Sequence, residues 1–179
     1  MNSADVGYCG FNCEACSIHQ YGLGHAKDDF ILCCRNIPES DLKCDGCKSD
    51  SVYAGCRICS LRSCAADRKL SSCGECRDFP CHEYKKLSSA AKILPHAKEA
   101  SINLEILKRE GLDQWRKAQY SKWSCSKCGT PFSWYSKTCM KCGQDLSPTT
   151  YSLTGLKKFI ATIVLSKVYK KGKQNTGIL

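Results

Sequence analysis

Large apolar residues are sparse in the first half of the chain, and their spacing there predicts only short elements. Residues 17–30 (SIHQYGLGHAKDDF) predict a short helix broken by Gly22 and Gly24. Residues 38–84 carry few apolar side chains and many cysteines, so we expect knuckle turns with short helices after some of the cysteine pairs. Such a segment has too few apolar residues to fold around a core of its own, and a bound ligand must supply folding energy.

The second half has clearer helical periodicity. Between residues 96 and 110, apolar residues recur at helical spacing, and Gly111 stands where a helix C-cap belongs. Residues 112–120 continue as a second amphipathic helix that carries Trp115. Residues 156–169 predict a third helix. Its apolar face (Phe159, Ile160, Ile163, Val164 and Val168) is expected to dock on the domain and leave a basic face in water.

Cysteines make up 17 of the 179 residues, a density typical of disulfide scaffolds and metal proteins. Eight of them fall within residues 44–81, where two triads share the spacing C-x2-C-x4-C: Cys56, Cys59, Cys64 and Cys73, Cys76, Cys81. Most cysteines occur in C-x2-C pairs, which suit a shared metal better than long-range disulfides. Residues 1–20 show no basic segment followed by an apolar one, so we expect a cytoplasmic protein with reduced thiols.

Residues 122–146 contain two matching cysteine pairs. Cys125-x2-Cys128 and Cys139-x2-Cys142 are separated by ten residues, and each pair is followed by a glycine, Gly129 or Gly143. A C-x2-C-G knuckle turns two sulfurs towards one ion, and its glycine permits the left-handed turn behind them. Two knuckles on a β-hairpin form a zinc ribbon, which we predict here.

The first cysteines form a C-x3-C-x2-C triad, the spacing that radical-SAM enzymes use to hold an iron–sulfur cluster. Ala15 stands before Cys16 where those enzymes usually have an aromatic residue, and the remaining chain is too short and too cysteine-rich for their barrel. We therefore set this interpretation aside. The sequence also shows no nucleophile–base pair, phosphate loop or paired carboxylates, so we do not expect catalysis by this chain alone.

The order of four motifs, CGFNCEAC (9–16), CDGC (44–47), CSLRSCA (59–65) and CGECRDFPC (73–81), resembles a cysteine-rich prokaryotic family catalogued as domain of unknown function 3795. The resemblance covers residues 8–120, and residues 122–146, called the four-cysteine segment below, form a C-terminal zinc-ribbon extension. It brings no established activity. It implies these ligand candidates: Cys9, Cys13, Cys16, Cys44, Cys47, Cys59, Cys64, Cys73, Cys76 and Cys81.

Two metal chemistries remain open for these ten front cysteines. Zinc is favoured, because it takes four thiolates from pairs of this kind. A [4Fe–4S] cluster is the rival, since each triad resembles a cluster-binding run that needs a remote fourth ligand. For Cys125, Cys128, Cys139 and Cys142 we expect Zn²⁺. Adjacent cysteines rarely share one ion, so at most one of Cys33 and Cys34 is a ligand candidate.

The formal net charge of +10 is divided unevenly. Up to Glu83 the chain has 9 basic and 12 acidic side chains, whereas from Tyr84 onward it has 18 and 5. The basic half predicts an acidic partner, either protein or nucleic acid. Phe132, Trp134 and Tyr135 could stack on bases, but we favour a role as the apolar plug of a small metal-binding unit. No apolar run is long enough to span a bilayer, although weak peripheral membrane contact by the last helix stays open.

Together these patterns predict a small, metal-stabilised α+β protein. We divide the chain into a cysteine-rich domain (1–84), a helical segment (85–121), a zinc ribbon (122–146) and a basic C-terminal helix and tail (147–179). The predicted function is that of a metal-binding adaptor, with zinc as the metal and the basic half as its binding surface. The alternative is an iron–sulfur electron-transfer or accessory protein of an anaerobic enzyme system.

Overall fold

A computed structural model describes residues 5–174, so the ends of the first and last predicted segments, 1–4 and 175–179, lie outside the described residues. The described chain is built from helices and turns. Three short 3-10 turns separate some of the helices, at Glu39–Asp41, Cys73–Glu75 and Pro95–Lys98. The α-helices are α1 (Ser17–Gly22), α2 (Asp29–Cys33), α3 (Ala54–Arg57), α4 (Ser60–Asp67), α5 (His82–Ala90), α6 (Glu99–Trp123) and α7 (Gly155–Gln174).

The predicted α+β class with a β-hairpin zinc ribbon is wrong, because residues 5–174 form no strand and no sheet. Residues 122–146 contain two isolated antiparallel bridges, one between Ser124 and Pro131 and one between Thr138 and Asp145. Each bridge closes one knuckle on itself. The chain between the knuckles pairs elsewhere: Trp134 N–H donates to the Ala15 carbonyl oxygen at 3.1 Å. No ladder between the knuckles is left to form a hairpin.

Helix α6 follows the predicted helical pattern with one break. Its backbone leaves helical geometry at Gly111 (φ 81°, ψ 176°), the residue expected to end the first of two helices. A positive φ costs glycine little, which explains why the break falls there. Pro95 begins the 3-10 turn that leads into the helix, so α6 starts at Glu99 rather than at residue 96.

Buried side chains form two clusters. The larger joins α1, α2 and α3 to the four-cysteine segment and α7, with members such as Ile18, Trp134 and Leu165. The smaller lies between α4, α5 and the first half of α6 and includes Leu61 and Leu104. The first cluster therefore contains side chains from both ends of the described chain, while the proposed boundaries at 84, 121 and 146 stay a prediction.

Helix α7 docks through a face different from the one expected. Phe159 and Ile163 are 58% and 40% exposed, so the prediction that their face packs on the domain is wrong. The buried residues of α7 are Ala161, Thr162, Leu165, Tyr169 and Gly172. A Cβ on Gly172 would lie 2.0 Å from the Ala54 carbonyl oxygen. Small residues let α7 approach the backbone of α3 closely, and this close packing outweighs burial of the larger side chains.

Two buried polar side chains of α6 form hydrogen bonds with other parts of the fold. The Glu99 carboxylate is 1% exposed; it accepts a hydrogen bond from Lys122 Nζ at 2.7 Å and another from the Tyr151 hydroxyl. Asn103 is fully buried and donates to the Gly10 carbonyl oxygen at 2.8 Å. Because both groups are paired, their burial carries no unsatisfied hydrogen bond.

Candidate metal centre

Two backbone knuckles of the same design hold the four cysteines of residues 125–142. In the first, Cys125 N–H donates to the Thr130 carbonyl oxygen at 2.9 Å, and Gly129 N–H donates to the Cys125 carbonyl oxygen at 2.7 Å. Cys139 repeats the pattern with Gln144 and Gly143, at 2.9 Å for both bonds. The glycines have φ values of 70° and 73°, which confirms the predicted left-handed turns.

The knuckles bring four sulfur atoms together. The Sγ atoms of Cys125 and Cys142 are 3.6 Å apart, and those of Cys128 and Cys139 are 3.5 Å apart. All four lie within 4.8 Å of one another. We call these four cysteines the four-cysteine site. Its geometry can hold a metal ion.

In each knuckle the first cysteine is more deeply buried than the second. Cys125 and Cys139 are buried, whereas Cys128 and Cys142 are half-buried at the edge of the site. Thr130 Oγ1 lies 3.3 Å from Cys128 Sγ. Hydrogen bonding with this hydroxyl lowers the pKa of the Cys128 thiol to about 6. A thiol that ionises this readily offers a thiolate to a metal near neutral pH.

The loop between the knuckles fills the larger core. Phe132, Trp134 and Tyr135 are 5%, 3% and 0% exposed. The plug interpretation is thereby confirmed, and these rings are not available to stack on bases. His96 stacks on Trp134, with ring centroids 4.5 Å apart, and its Nδ1 lies 2.7 Å from the Tyr135 hydroxyl. Burial lowers the pKa of His96 to about 3, so its ring is neutral at physiological pH.

The first group of front cysteines gathers around the loop of residues 9–16. Cys47 N–H donates to Cys13 Sγ at 3.4 Å, which joins this loop to the CDGC segment. The pKa of the Cys13 thiol is raised to about 12, first by burial and then by the neighbouring thiols of Cys16, Cys47 and Cys44. Burial also raises the pKa of Cys9 well above its usual range, with contributions from Cys47, Cys59 and Cys13. Arg62 of α4 holds the Cys47 carbonyl oxygen at 2.8 Å.

The second group lies around Cys73, which is buried in the smaller core. Its thiol pKa is raised to about 12, first by burial and then by four neighbouring thiols, those of Cys81, Cys59, Cys64 and Cys76. Cys73 N–H donates to the Tyr8 carbonyl oxygen at 2.7 Å, which places this group beside the same N-terminal loop. Within the described residues 5–174, no three front sulfurs lie as close together as those of the four-cysteine site.

Two further sets of cysteines differ in their surroundings. Cys56 was not a predicted ligand, yet its thiol lies within electrostatic reach of Cys16, Cys44, Cys47 and Cys59. Its place in the repeated C-x2-C-x4-C triads is the sequence signal that could have included it. Cys33 and Cys34 are buried in the larger core, and the Cys33 thiol donates to the Asp29 carbonyl oxygen at 3.2 Å. Cys33 is thus a small core residue.

Comparison with known proteins supports the resemblance drawn from the motifs. Residues 5–86 match the sequence model of a family described as protein of unknown function DUF3795. The match covers somewhat less than half of the chain and ends before the four-cysteine site. No curated protein and no solved structure matches the chain. Across the described helices, none combines the length and the apolar character needed to cross a bilayer.

Proposed function

We propose that the protein is a zinc-binding adaptor and that the four-cysteine site holds one structural Zn²⁺. The observation that carries this proposal is the spacing of the sulfurs. Four thiolates about 2.3 Å from a tetrahedral zinc ion lie about 3.8 Å from one another. The 3.5 and 3.6 Å separations fit a single ion of this size.

The donor set favours a structural rather than a catalytic ion. Four protein sulfurs fill a tetrahedral coordination sphere and leave no position for water or substrate. The ion would fix both knuckles and the loop between them, whose Trp134 and Tyr135 fill the larger core. Tyr151 N–H donates to the Trp134 carbonyl oxygen at 2.8 Å, so the same loop also positions the segment that leads into α7.

The adaptor role rests on charge. The front half is acidic, whereas 18 of the 27 basic residues and only 5 acidic ones lie from Tyr84 onward. A zinc ion with four thiolates carries a net −2, which leaves this back half strongly positive. The metal then stabilises a fold whose basic half meets an acidic partner. Lysines contact phosphates and carboxylates as point charges, so such binding is weak, insensitive to sequence and steeply dependent on salt.

Chelator-dependent unfolding tests the structural role. The variant Cys128→Ser removes one ligand at the half-buried edge of the site with little change in packing. The control is Met140→Ala, which changes a residue of the second knuckle that is 57% exposed and leaves all four ligands in place. We expect the Ser variant to unfold at lower denaturant, because metal binding contributes several kcal/mol to folding. We also expect chelator to destabilise the wild type and the control more than the Ser variant, which has already lost the ion of the four-cysteine site and keeps only metal bound by the front cysteines. Equal effects of chelator on all three would refute the proposal.

A second candidate function is supported by the front cysteines. Their thiols gather in two groups, but within residues 5–174 they do not approach as closely as one shared ion requires. The irons of a cluster are separate atoms, so thiolates that bind it can stay further apart. Anaerobically purified protein with iron, acid-labile sulfide and visible absorbance would assign an iron–sulfur cluster to this half. Colourless protein containing zinc alone would favour zinc throughout.

A further inference from the structure

Helix α7 exposes large apolar side chains on the side opposite its docked face. Its buried residues centre on Leu165 and Tyr169. Four large apolar residues are exposed on the other side: Leu156 (72%), Phe159 (58%), Ile163 (40%) and Val164 (40%). Residues three, four and seven apart share a helix face, so Leu156, Phe159 and Ile163 form one apolar stripe, and Val164 lies beside it. We call it the outer face of α7.

This stripe continues into a cationic end. Lys167 and Lys170 follow Ile163 by four and seven positions, which puts them on the same face one and two turns further along. Three exposed lysines of α7 lie on or beside this face: Lys167, Lys170 and Lys171. Residues 146–174 contain no acidic side chain. The outer face therefore combines exposed apolar groups with unopposed positive charge.

An anionic lipid surface matches both properties. Apolar side chains of a surface helix enter the boundary between headgroups and acyl chains, while flanking lysines attract anionic headgroups. Nucleic acid would meet the lysines but would leave Phe159 and Ile163 against phosphate and water. A second copy packed on this face would offer no acidic side chain of its α7 to these lysines in either orientation, because residues 146–174 contain none. The charge thus favours lipid over both.

We propose that the outer face of α7 binds the surface of anionic membranes, with Leu156, Phe159 and Ile163 in the headgroup boundary and Lys167, Lys170 and Lys171 against the headgroups. The helix lies in the plane of the surface and does not cross it. This binding is separate from the metal site, so either can fail without the other.

Vesicle co-sedimentation of the full chain tests the proposal. We expect binding to phosphatidylcholine vesicles that contain about one-third phosphatidylserine, and much weaker binding to phosphatidylcholine alone. The double variant Phe159→Ser with Ile163→Ser should bind at least about tenfold less tightly. Leu23→Ser is the matched control, because Leu23 is 64% exposed but lies at the end of α1. All these positions are exposed, so the variants should fold as the wild type does.

Charge variants test whether the lysines of the outer face, and not basic residues elsewhere, attract the anionic vesicles. Lys167→Glu with Lys170→Glu should abolish binding to the anionic vesicles, whereas Lys108→Glu with Lys117→Glu, two exposed positions on α6, should reduce it far less. The proposal is overturned if no vesicle binds, or if the serine double variant binds as well as the wild type. It is also overturned if the serine substitutions abolish self-association without affecting vesicles, since the face would then join two copies.

Discussion

Mild acid should destabilise the protein through His96. This side chain is 7% exposed, lies among Phe11, Phe30, Trp134 and Tyr135, and has a pKa lowered to about 3 by burial. In the unfolded chain its pKa returns to about 6.5. Below that value the unfolded state takes up a proton that the folded state excludes, so stability is lost as the pH falls from about 6.5 towards 3. Between pH 7.5 and pH 5 the loss from this group alone is about 2 kcal/mol.

Urea unfolding of the wild type and His96→Gln over this pH range measures the effect. The variant should be less stable at pH 7.5, because it loses the stacking on Trp134 at 4.5 Å. It should, however, lose about 2 kcal/mol less than the wild type between pH 7.5 and pH 5. Metal content is measured at each pH, since protonation of thiolates also releases metal. Identical pH dependence in the two proteins at equal metal content would refute the reasoning.

Three substitutions test the packing described above by chemical denaturation. Gly172→Ala should cost about 3 kcal/mol, since the new Cβ would lie 2.0 Å from the Ala54 carbonyl oxygen and α7 must move away; an unchanged midpoint would contradict this close approach. Lys122→Met should cost about 2 to 3 kcal/mol, because the buried Glu99 carboxylate loses its charged partner. If Lys122→Met is neutral, that pair does not form. Asn103→Leu should cost about 3 kcal/mol through its lost buried hydrogen bonds, and a stability like that of the wild type would argue against this amide network.

The four-cysteine site could be predicted from sequence because its geometry is local. Each knuckle is closed by hydrogen bonds within six residues, from Cys125 to Thr130 and from Cys139 to Gln144. The doubled C-x2-C-G spacing therefore carries nearly all the information. The absence of a hairpin could not be predicted from local spacing. The loop between the knuckles forms backbone hydrogen bonds with Ala15 and Tyr151, which lie outside the two knuckles.

Helix positions were predictable where periodicity is strong, but helix faces were not. The break at Gly111 follows from an ordinary glycine signal. The docked face of α7 depends instead on Ala54 and on Gly55, where a Cβ would lie 2.9 Å from Val168. The small residues of α3 determine which side of α7 can pack against its backbone. The sequence pattern of α7 alone does not indicate this. The grouping of Cys13 with Cys47 is likewise a tertiary contact.

Elemental analysis of the full chain and of Cys128→Ser tests the central claim most directly. Both proteins are purified anaerobically, and zinc and iron are counted per chain, with Met140→Ala as the control that keeps all four thiols. The account predicts that Cys128→Ser loses one zinc ion relative to the wild type and the control, with iron unchanged, because four sulfurs 3.5 to 3.6 Å apart in facing pairs share a single ion. Equal zinc in all three proteins, or iron rather than zinc lost from the variant, would contradict it.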